Sequence, residues 1–244
     1  MTATTSTVAD DERTQAREKQ IKQAEELLFS GPQRLGVAKG FFQGRFVADW
    51  ILPYPRLAAD EQARVDAALA ELRRFCDASL DPAAIDRQAD IPRSVIDGLA
   101  HLGVLGMTAP ESVGGRGFSQ RAYCKILEEL GSRCSSTSIF VNAHHSIGMR
   151  ALLLFGTEGQ KRRWLPSLVN GTSLAAFALT EPQAGSDAAN VQTTATPSAD
   201  GSHYVLNGEK RYISNGAIAQ VLTVMARTPV PGRDETAITA FLVT

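Results

Sequence analysis

A chain of 244 residues, 43% hydrophobic and 21% charged, can bury one or two cores and lacks the bias of disordered or fibrous sequences. Its 25 basic and 26 acidic residues leave a formal net charge of -1, so no global field draws it to nucleic acid or an anionic membrane. Any anionic ligand must be held by local groups. Cys76, Cys124 and Cys134 are an odd number, widely spaced, with no CxxC pair and no histidine at metal-ligand spacing. That argues against a disulfide framework and a bound metal, and all three are expected to be buried thiols. No run approaches the roughly 18 apolar residues of a membrane span. Residues 1–24 mix Asp10, Asp11 and Glu12 with Arg and Lys and have no apolar h-region, so no secretory signal or transit peptide is expected and a cytoplasmic location is the default.

In chain order, residues 1 to about 30 read as polar and weakly helical. A Gly- and aromatic-bearing arm follows (GVAKGFFQGRFVADWILPYP, from Gly36), expected to lie over a surface. From Asp60 to Leu80, Val65, Leu69, Leu72 and Cys76 recur at spacings of four, three and four, the signature of one helix face. A second helix is expected from Pro92, carrying Val95, Ile96, Leu99 and Leu102 inward and stopping at Gly103. A third runs from Ser119 as N-cap through Tyr123, Ile126, Leu127 and Leu130, with Gly131 as its stop. The apolar stretch Ser135 to Phe155, with Gly148 inside, reads as a buried helix, and Thr157 with Gln160 forms a capping box opening one more.

Near Gly171 the period changes from helical to strand-like. Leu174 to Leu179, Tyr204 to Leu206, Glu209 to Ser214, Val221 to Ala226 and Ala237 to Val243 read as strands of an antiparallel sheet, with Asp200-Gly201 and Asn207-Gly208 as hairpin dipeptides. The architecture expected is α+β: an all-α domain, then an incomplete antiparallel β-barrel-like domain. The last run stops at Thr244 with too few strands to close a barrel, so a truncated chain or a completing partner is expected.

Ala178 to Asp187 (ALTEPQAGSD) is a strand end breaking into a loop. Exposed amides beside the hydroxyls of Thr180 and Ser186 suit carbonyl or phosphate oxygens, and Gly185 lets a ligand approach the backbone. The same residues also make an ordinary turn, and the pattern alone does not separate the two readings.

The segment resembles the acyl-CoA dehydrogenase signature: a small residue, an aliphatic, Ser or Thr, Glu, two variable positions, a small residue, then Gly-Ser-Asp. Leu206 to Gly216 (LNGEKRYISNG) resembles the second flavin-contacting strand of that family. HLGVLGMTAPESVGGRGFS and LLLFGTEGQKRRWLPSLVNG resemble its helix-to-loop segment and its last helix before the β domain. The arm GFFQGRFVADWILPYP and the stretch AHHSIGMRALLLFGT are similar to the very-long-chain branch, and the likeness covers about residue 35 onward.

The resemblance implies a polar extension over 1–35, a helical domain over 36–172 and a truncated β middle domain over 173–244, with the C-terminal helical domain absent. It implies FAD as cofactor and α,β-desaturation of long-chain acyl-CoA thioesters in fatty-acid β-oxidation. Electron-transfer flavoprotein is the acceptor implied, in a homo- or hetero-oligomer. Carried over by position, Phe177, Leu179 and Thr180 contact the flavin, Thr180 at its pyrimidine edge; Gly185 and Ser186 border the site, and Ser186 reaches the acyl-CoA. Tyr212, Ile213 and Ser214 border the other side of the ring. Family members commonly have Trp at the position of Tyr212 and a smaller residue at that of Asn190, so flavin affinity or potential is open to difference here.

The catalytic carboxylate is implied to lie in the C-terminal domain, leaving no catalytic residue in this chain and no activity for the chain alone. Glu181 and Asp187 then read as loop-fixing acceptors. Adjacent helix positions point about 100° apart, so His144 and His145 are expected one packed and one near the surface rather than sharing a ligand. Lys161, Arg162 and Arg163 read as a solvated face in preference to a CoA phosphate site. A non-catalytic acyl-CoA-binding or assembly module and an acyl-CoA oxidase remain alternatives.

Overall fold

The computed structural model describes Glu18, residues 36–230, Gly232 and residues 235–244; the polar N-terminal reading, Glu18 apart, lies outside them. Of the described residues, those through Arg56 belong to one compact unit and those from Leu57 to Thr244 to another. In the first, Val37–Phe42 is a short helix (α1), a 3-10 turn spans Ala48–Trp50, and the Phe41 and Phe46 rings stack 5.8 Å apart.

The second unit opens with α2, Ala59–Ser79, whose Val65, Ala68, Leu72 and Cys76 are all buried, as a helical stripe requires. Helix α3, Pro82–Gln88, was not anticipated, although Asp81 caps it by accepting from the Ala84 N–H at 2.9 Å and Pro82 occupies its first turn. Helix α4, Arg93–His101, has Pro92 at its N-cap rather than inside its first turn. Helix α5, Gln120–Arg133, starts at Ser119, which accepts from the Ala122 N–H, but it runs past Gly131 to a cap at Cys134. In that last turn the Arg133 guanidinium bonds Glu129 one turn back and Asp77 of α2. Cys76 and Cys134 are buried as expected. Cys124 is exposed, because it lies on the outer face of α5 between the buried Tyr123 and Ile126.

Ser135 to Phe155 is helical throughout, in three parts: α6 (Ser135–Asn142), a π-helical stretch (Ala143–Met149) and α7 (Arg150–Phe155). Helix α8, Glu158–Val169, carries the expected reciprocal box, with the Thr157 N–H donating to Gln160 Oε1 at 2.8 Å and the Gln160 N–H to Thr157 Oγ1 at 3.2 Å. Leu72, Leu99, Leu105, Ile126 and Leu130 join in one apolar cluster, each at 2% exposure or less. Burial of each such side chain is worth about 1.5–3 kcal/mol.

The sheet is mixed, where a wholly antiparallel one was expected. Strand β1 (Ala175–Ala178) lies parallel to β4 (Val221–Pro229), and β2 (Thr194–Pro197), which was not anticipated, also meets β4 in parallel, at Arg227. Strand β3 (Tyr204–Asn207) pairs antiparallel with β2, and β5 (Thr236–Val243) antiparallel with β4 along Leu222 to Pro229. Thus β1 and β2 share one edge of β4, β5 takes the other, and the sheet does not close. Asp200-Gly201 does sit in the β2–β3 turn, with Gly201 at φ 69°. Asn207-Gly208 makes no hairpin: a Cβ on Gly208 would come within 2.4 Å of Thr193 Oγ1, so the glycine serves close approach of two backbones. The expected strand Glu209 to Ser214 is irregular.

Helices and sheet meet along the π-helical stretch. A Cβ on Gly148 would lie 2.7 Å from the Ala175 Cβ, so only glycine lets β1 come this close. His144 and His145 are both buried, at 0% and 2% exposure, where one had been expected near the surface. The slower turn of the π-helix aims both inward. His144 Nδ1 accepts from the Ala175 N–H at 3.0 Å and its Nε2 lies 3.1 Å from the Leu168 carbonyl, so the proton resides on Nε2 and the ring ties α8 to β1. His145 Nε2 accepts from the Thr108 N–H at 3.1 Å, and its ring stacks on Tyr123 at 4.8 Å. Burial holds both neutral, lowering His144 to about 4 and His145 to about 3. No described helix is long and apolar enough to cross a membrane.

Candidate functional site

Two chain segments converge where β1 ends. The first, Leu179 to Asp187, leaves β1 and closes into a tight loop through paired Glu181 and Ala184 backbone bonds of 2.9 and 3.2 Å. The second, Gly208 to Gly216, runs alongside it: the Arg211 N–H donates to the Thr180 carbonyl at 2.8 Å. Asn215 anchors the far end, its Nδ2 donating to the Phe140 carbonyl at 3.1 Å and more loosely to the Ala175 carbonyl at 3.4 Å.

Glu181 is the hub of this arrangement. Its carboxylate is 5% exposed and accepts from the Gln192 N–H at 2.5 Å, the Thr193 N–H at 2.9 Å, the Thr193 hydroxyl at 2.5 Å and Lys210 Nζ at 2.7 Å. Burial pushes its pKa up, but the bonds from Lys210, Thr193 and Gln192 outweigh that and hold the carboxyl down at about 2. A carboxylate so engaged fixes the loop, and one whose pKa is held at about 2 is a weak base for abstracting a proton. Asp187 behaves otherwise: it is exposed, and its side chain does not cap the 3-10 turn Ala188–Asn190. Lys161 pairs with Glu158, and the Arg163 guanidinium lies 4.7 Å over the Trp164 ring, on a solvated helix face.

Phe177 sits in β1 opposite Thr223 and is half-buried, as are Leu179 and Thr180 beyond it. Gly185, Ser186 and Ser214 are exposed. The hydroxyls of Thr180, Ser186 and Ser214 make no hydrogen bond among the described residues, so they are free for a ligand. Space beside Gly185 is open: a Cβ there would meet nothing within 4 Å, so the chain's own packing does not require the glycine. Tyr212 is 85% exposed and holds a left-handed backbone at φ 54°. An aromatic residue in that region is strained by about 1–3 kcal/mol, and strain of this kind collects at ligand sites. Ile213 is half-buried and lines, with Asn215, Phe140, Leu174 and Ile96, a cavity of about 650 Å³.

Thr180 and the Tyr212–Ser214 segment are thus brought side by side. Ser186 and Gly185, by contrast, make no bond to that segment among the described residues. Lys210, Asn215 and Thr193 were missed at the sequence level. A signal for Lys210 existed, since a glutamate buried beside a strand end needs a cation. The arrangement offers a flat exposed ring, free hydroxyls and backbone amides. Such a surface can pack against a planar ligand, and its one buried carboxylate is spent on the scaffold. Among the described residues no His, Cys, Asp and Glu cluster is arranged to hold a metal.

Comparison with known proteins adds two family matches: acyl-CoA dehydrogenase N-terminal domain over residues 60–172 and acyl-CoA dehydrogenase middle domain over 176–244. The human mitochondrial very long-chain specific acyl-CoA dehydrogenase is 41% identical over 211 residues, covering 84% of this chain and 32% of that protein. A probable acyl-CoA dehydrogenase of Mycobacterium tuberculosis is 42% identical, covering 95% of this chain and 36% of its own length. The chain therefore spans about a third of the curated relatives it matches. Among solved structures, an acyl-CoA dehydrogenase of Bacillus anthracis complexed with FAD superposes with a TM-score of 0.68 at 34% identity, over 84% of this chain and 34% of that one. Butyryl-CoA dehydrogenase from Megasphaera elsdenii gives 0.66 at 35% identity, over 78% and 49%.

Proposed function

The chain belongs to the acyl-CoA dehydrogenase family, and from that premise we propose that it carries one wall of an FAD and acyl-CoA thioester site. In this reading it forms part of an enzyme that desaturates long-chain acyl-CoA. The observation that carries the proposal is the exposed Tyr212 ring on a left-handed backbone next to Arg211, whose N–H bonds the Thr180 carbonyl, with the unbonded hydroxyls of Thr180 and Ser214 one on each segment.

These residues suit FAD, the cofactor of the family. Thr180 would hold the pyrimidine edge, Tyr212 would pack on the tricyclic ring and Ser214 would border it, with Phe177, Leu179 and Ile213 backing the wall. Gly185 leaves room for a ligand against the backbone, and Ser186 would meet the acyl-CoA. Bound flavin supplies the two-electron redox step. The chain's own residues bind, orient and shield one face; a flat amphipathic ring such as Tyr excludes water from the face it covers. With Glu181 committed to four donors, the proton acceptor in this reading lies in the part of the family relatives that the chain does not span. Electron-transfer flavoprotein as acceptor and an oligomeric assembly belong to the same proposal.

The test is absorbance of the purified chain, alone and with a co-expressed C-terminal family segment, near about 450 nm where oxidised flavin absorbs. A yellow complex bleached by long-chain acyl-CoA is the expected result. A colourless complex rejects the flavin assignment and leaves an acyl-CoA-binding module. Rapid reoxidation by O₂ in place of a flavoprotein acceptor identifies an oxidase.

A further inference from the structure

We propose that Lys210 and Glu181 are positioning residues that lock the two segments of the flavin wall into one rigid unit before any ligand arrives. The inference rests on the flavin reading only for what the wall is for; the lock itself is a property of this chain.

Lys210 Nζ donates to two acceptors on the facing segment, the Leu179 carbonyl at 3.1 Å and Glu181 Oε1 at 2.7 Å. The side chains are 13% and 2% exposed, so the pair works in a largely water-free setting. Lys210 lies two residues before Tyr212, and Leu179 one before Thr180. The cation therefore spans the gap between the two segments at the point where each delivers a ligand-facing residue. Glu181 extends the tie to a third segment, the residues leading into β2, through Gln192 and Thr193. Besides this pair, the Arg211–Thr180 backbone bond is the direct link between the segments among the described residues. With Lys210 removed, that neutral bond and the Asn215 anchor at the far end are left to hold Tyr212 in its left-handed conformation.

Removing Lys210 leaves Glu181 a buried carboxylate with only neutral donors, a state the protein relieves by opening the loop to water. Preorganisation of a site raises affinity by removing the ordering cost at the moment of binding. Loss of the lock is thus expected to appear first as motion confined to the wall and second as weaker flavin binding, with the scaffold unaffected.

The experiment is amide hydrogen exchange on the full 244-residue chain for wild type, Lys210→Met, Lys210→Arg and the double variant Glu181→Gln/Lys210→Met. Lys210→Met is expected to speed exchange over 178–187 and 208–216 by about 100-fold. Exchange in α2, α5 and the β4–β5 ladder should stay within about twofold of wild type. Lys210→Arg should restore protection. The double variant, with no buried charge left unpaired, should fall between. Unchanged exchange over 208–216 in Lys210→Met overturns the proposal. So does an equal rise in the β4–β5 ladder, which would make the pair a general strut of the sheet. Where the wild-type assembly binds FAD, Lys210→Met should also raise the FAD dissociation constant about tenfold or more. Failure of the wild type to bind FAD rejects the flavin reading and leaves the exchange result to decide the lock.

Discussion

Leu72 and Glu181 are hidden from water to nearly the same degree, at 1% and 5% exposure, yet the regions around them are held by different forces. Around Leu72, Val65, Leu99, Ile126 and Leu130 pack in a continuous apolar cluster that is insensitive to charge and tolerant of where each polar group lies outside it. Around Glu181, four donors converge on one carboxylate, and the segments they join are otherwise irregular. A scaffold can be made from contacts that sum without direction. A ligand wall must place particular atoms, which directional bonds do and apolar packing does not. His144 stands between the two, a neutral ring that ties the helical region to β1 by accepting from the Ala175 N–H.

Acid titration separates the regions most completely. The folded pKa values of His144 and His145 lie at about 4 and about 3, below the ordinary 6.5, so the unfolded chain takes up their protons first. Their stability contribution is full above pH 6.5 and falls as pH drops through that window. Glu181 is depressed from 4.5 to about 2, so its contribution is full above pH 4.5 and is lost as pH falls toward 2. Residue-resolved exchange should therefore show protection in α6 and the π-helical stretch declining below pH 6.5, with the wall holding until pH 4.5. Simultaneous loss of both would erase the distinction.

Leu72→Ala attacks the apolar side alone and should cost about 2–5 kcal/mol in urea unfolding, with exchange over 178–187 under native conditions unchanged. Gly148→Ala strikes the junction. Its added methyl would meet the Ala175 Cβ at 2.7 Å, and the overpacking should cost about 1–3 kcal/mol and displace β1, moving the amide signals of Ala175 to Thr180 in NMR spectra. Thr157→Ala removes one half of the α8 capping box and should lower thermal stability by about 1 kcal/mol while leaving the wall's exchange untouched.

What the sequence disclosed follows the same division. Period and cap chemistry are local, so the stripe Val65, Leu72 and Cys76, the Ser119 cap and the Thr157–Gln160 box were legible. Helix α3 was legible too, through Asp81 followed by Pro82, and was overlooked. Gly131 misled because a glycine stop is only a tendency, and here the helix runs on to Arg133. Glu209 to Ser214 carries strand-forming Tyr and Ile, yet the Gly208 approach to Thr193 and the left-handed Tyr212 break the ladder. Strand β2 was hidden by its polar pattern and Pro197, and its parallel contact with β4 depends on chain crossings that no local pattern encodes. At the site, the segments around Thr180 and Ser214 were found by resemblance. That Glu181 would be buried against Lys210, 29 residues away, depends on the tertiary fold.

The most direct test of the flavin wall is an amide chemical-shift map of the chain, in complex with a C-terminal family segment, on titration with FAD. The largest shifts are expected at Thr180, Gly185, Ser186 and Arg211 to Ser214. Shifts confined to Ile85, Ile96 and Phe140 around the 650 Å³ cavity, or none in either segment, would contradict it.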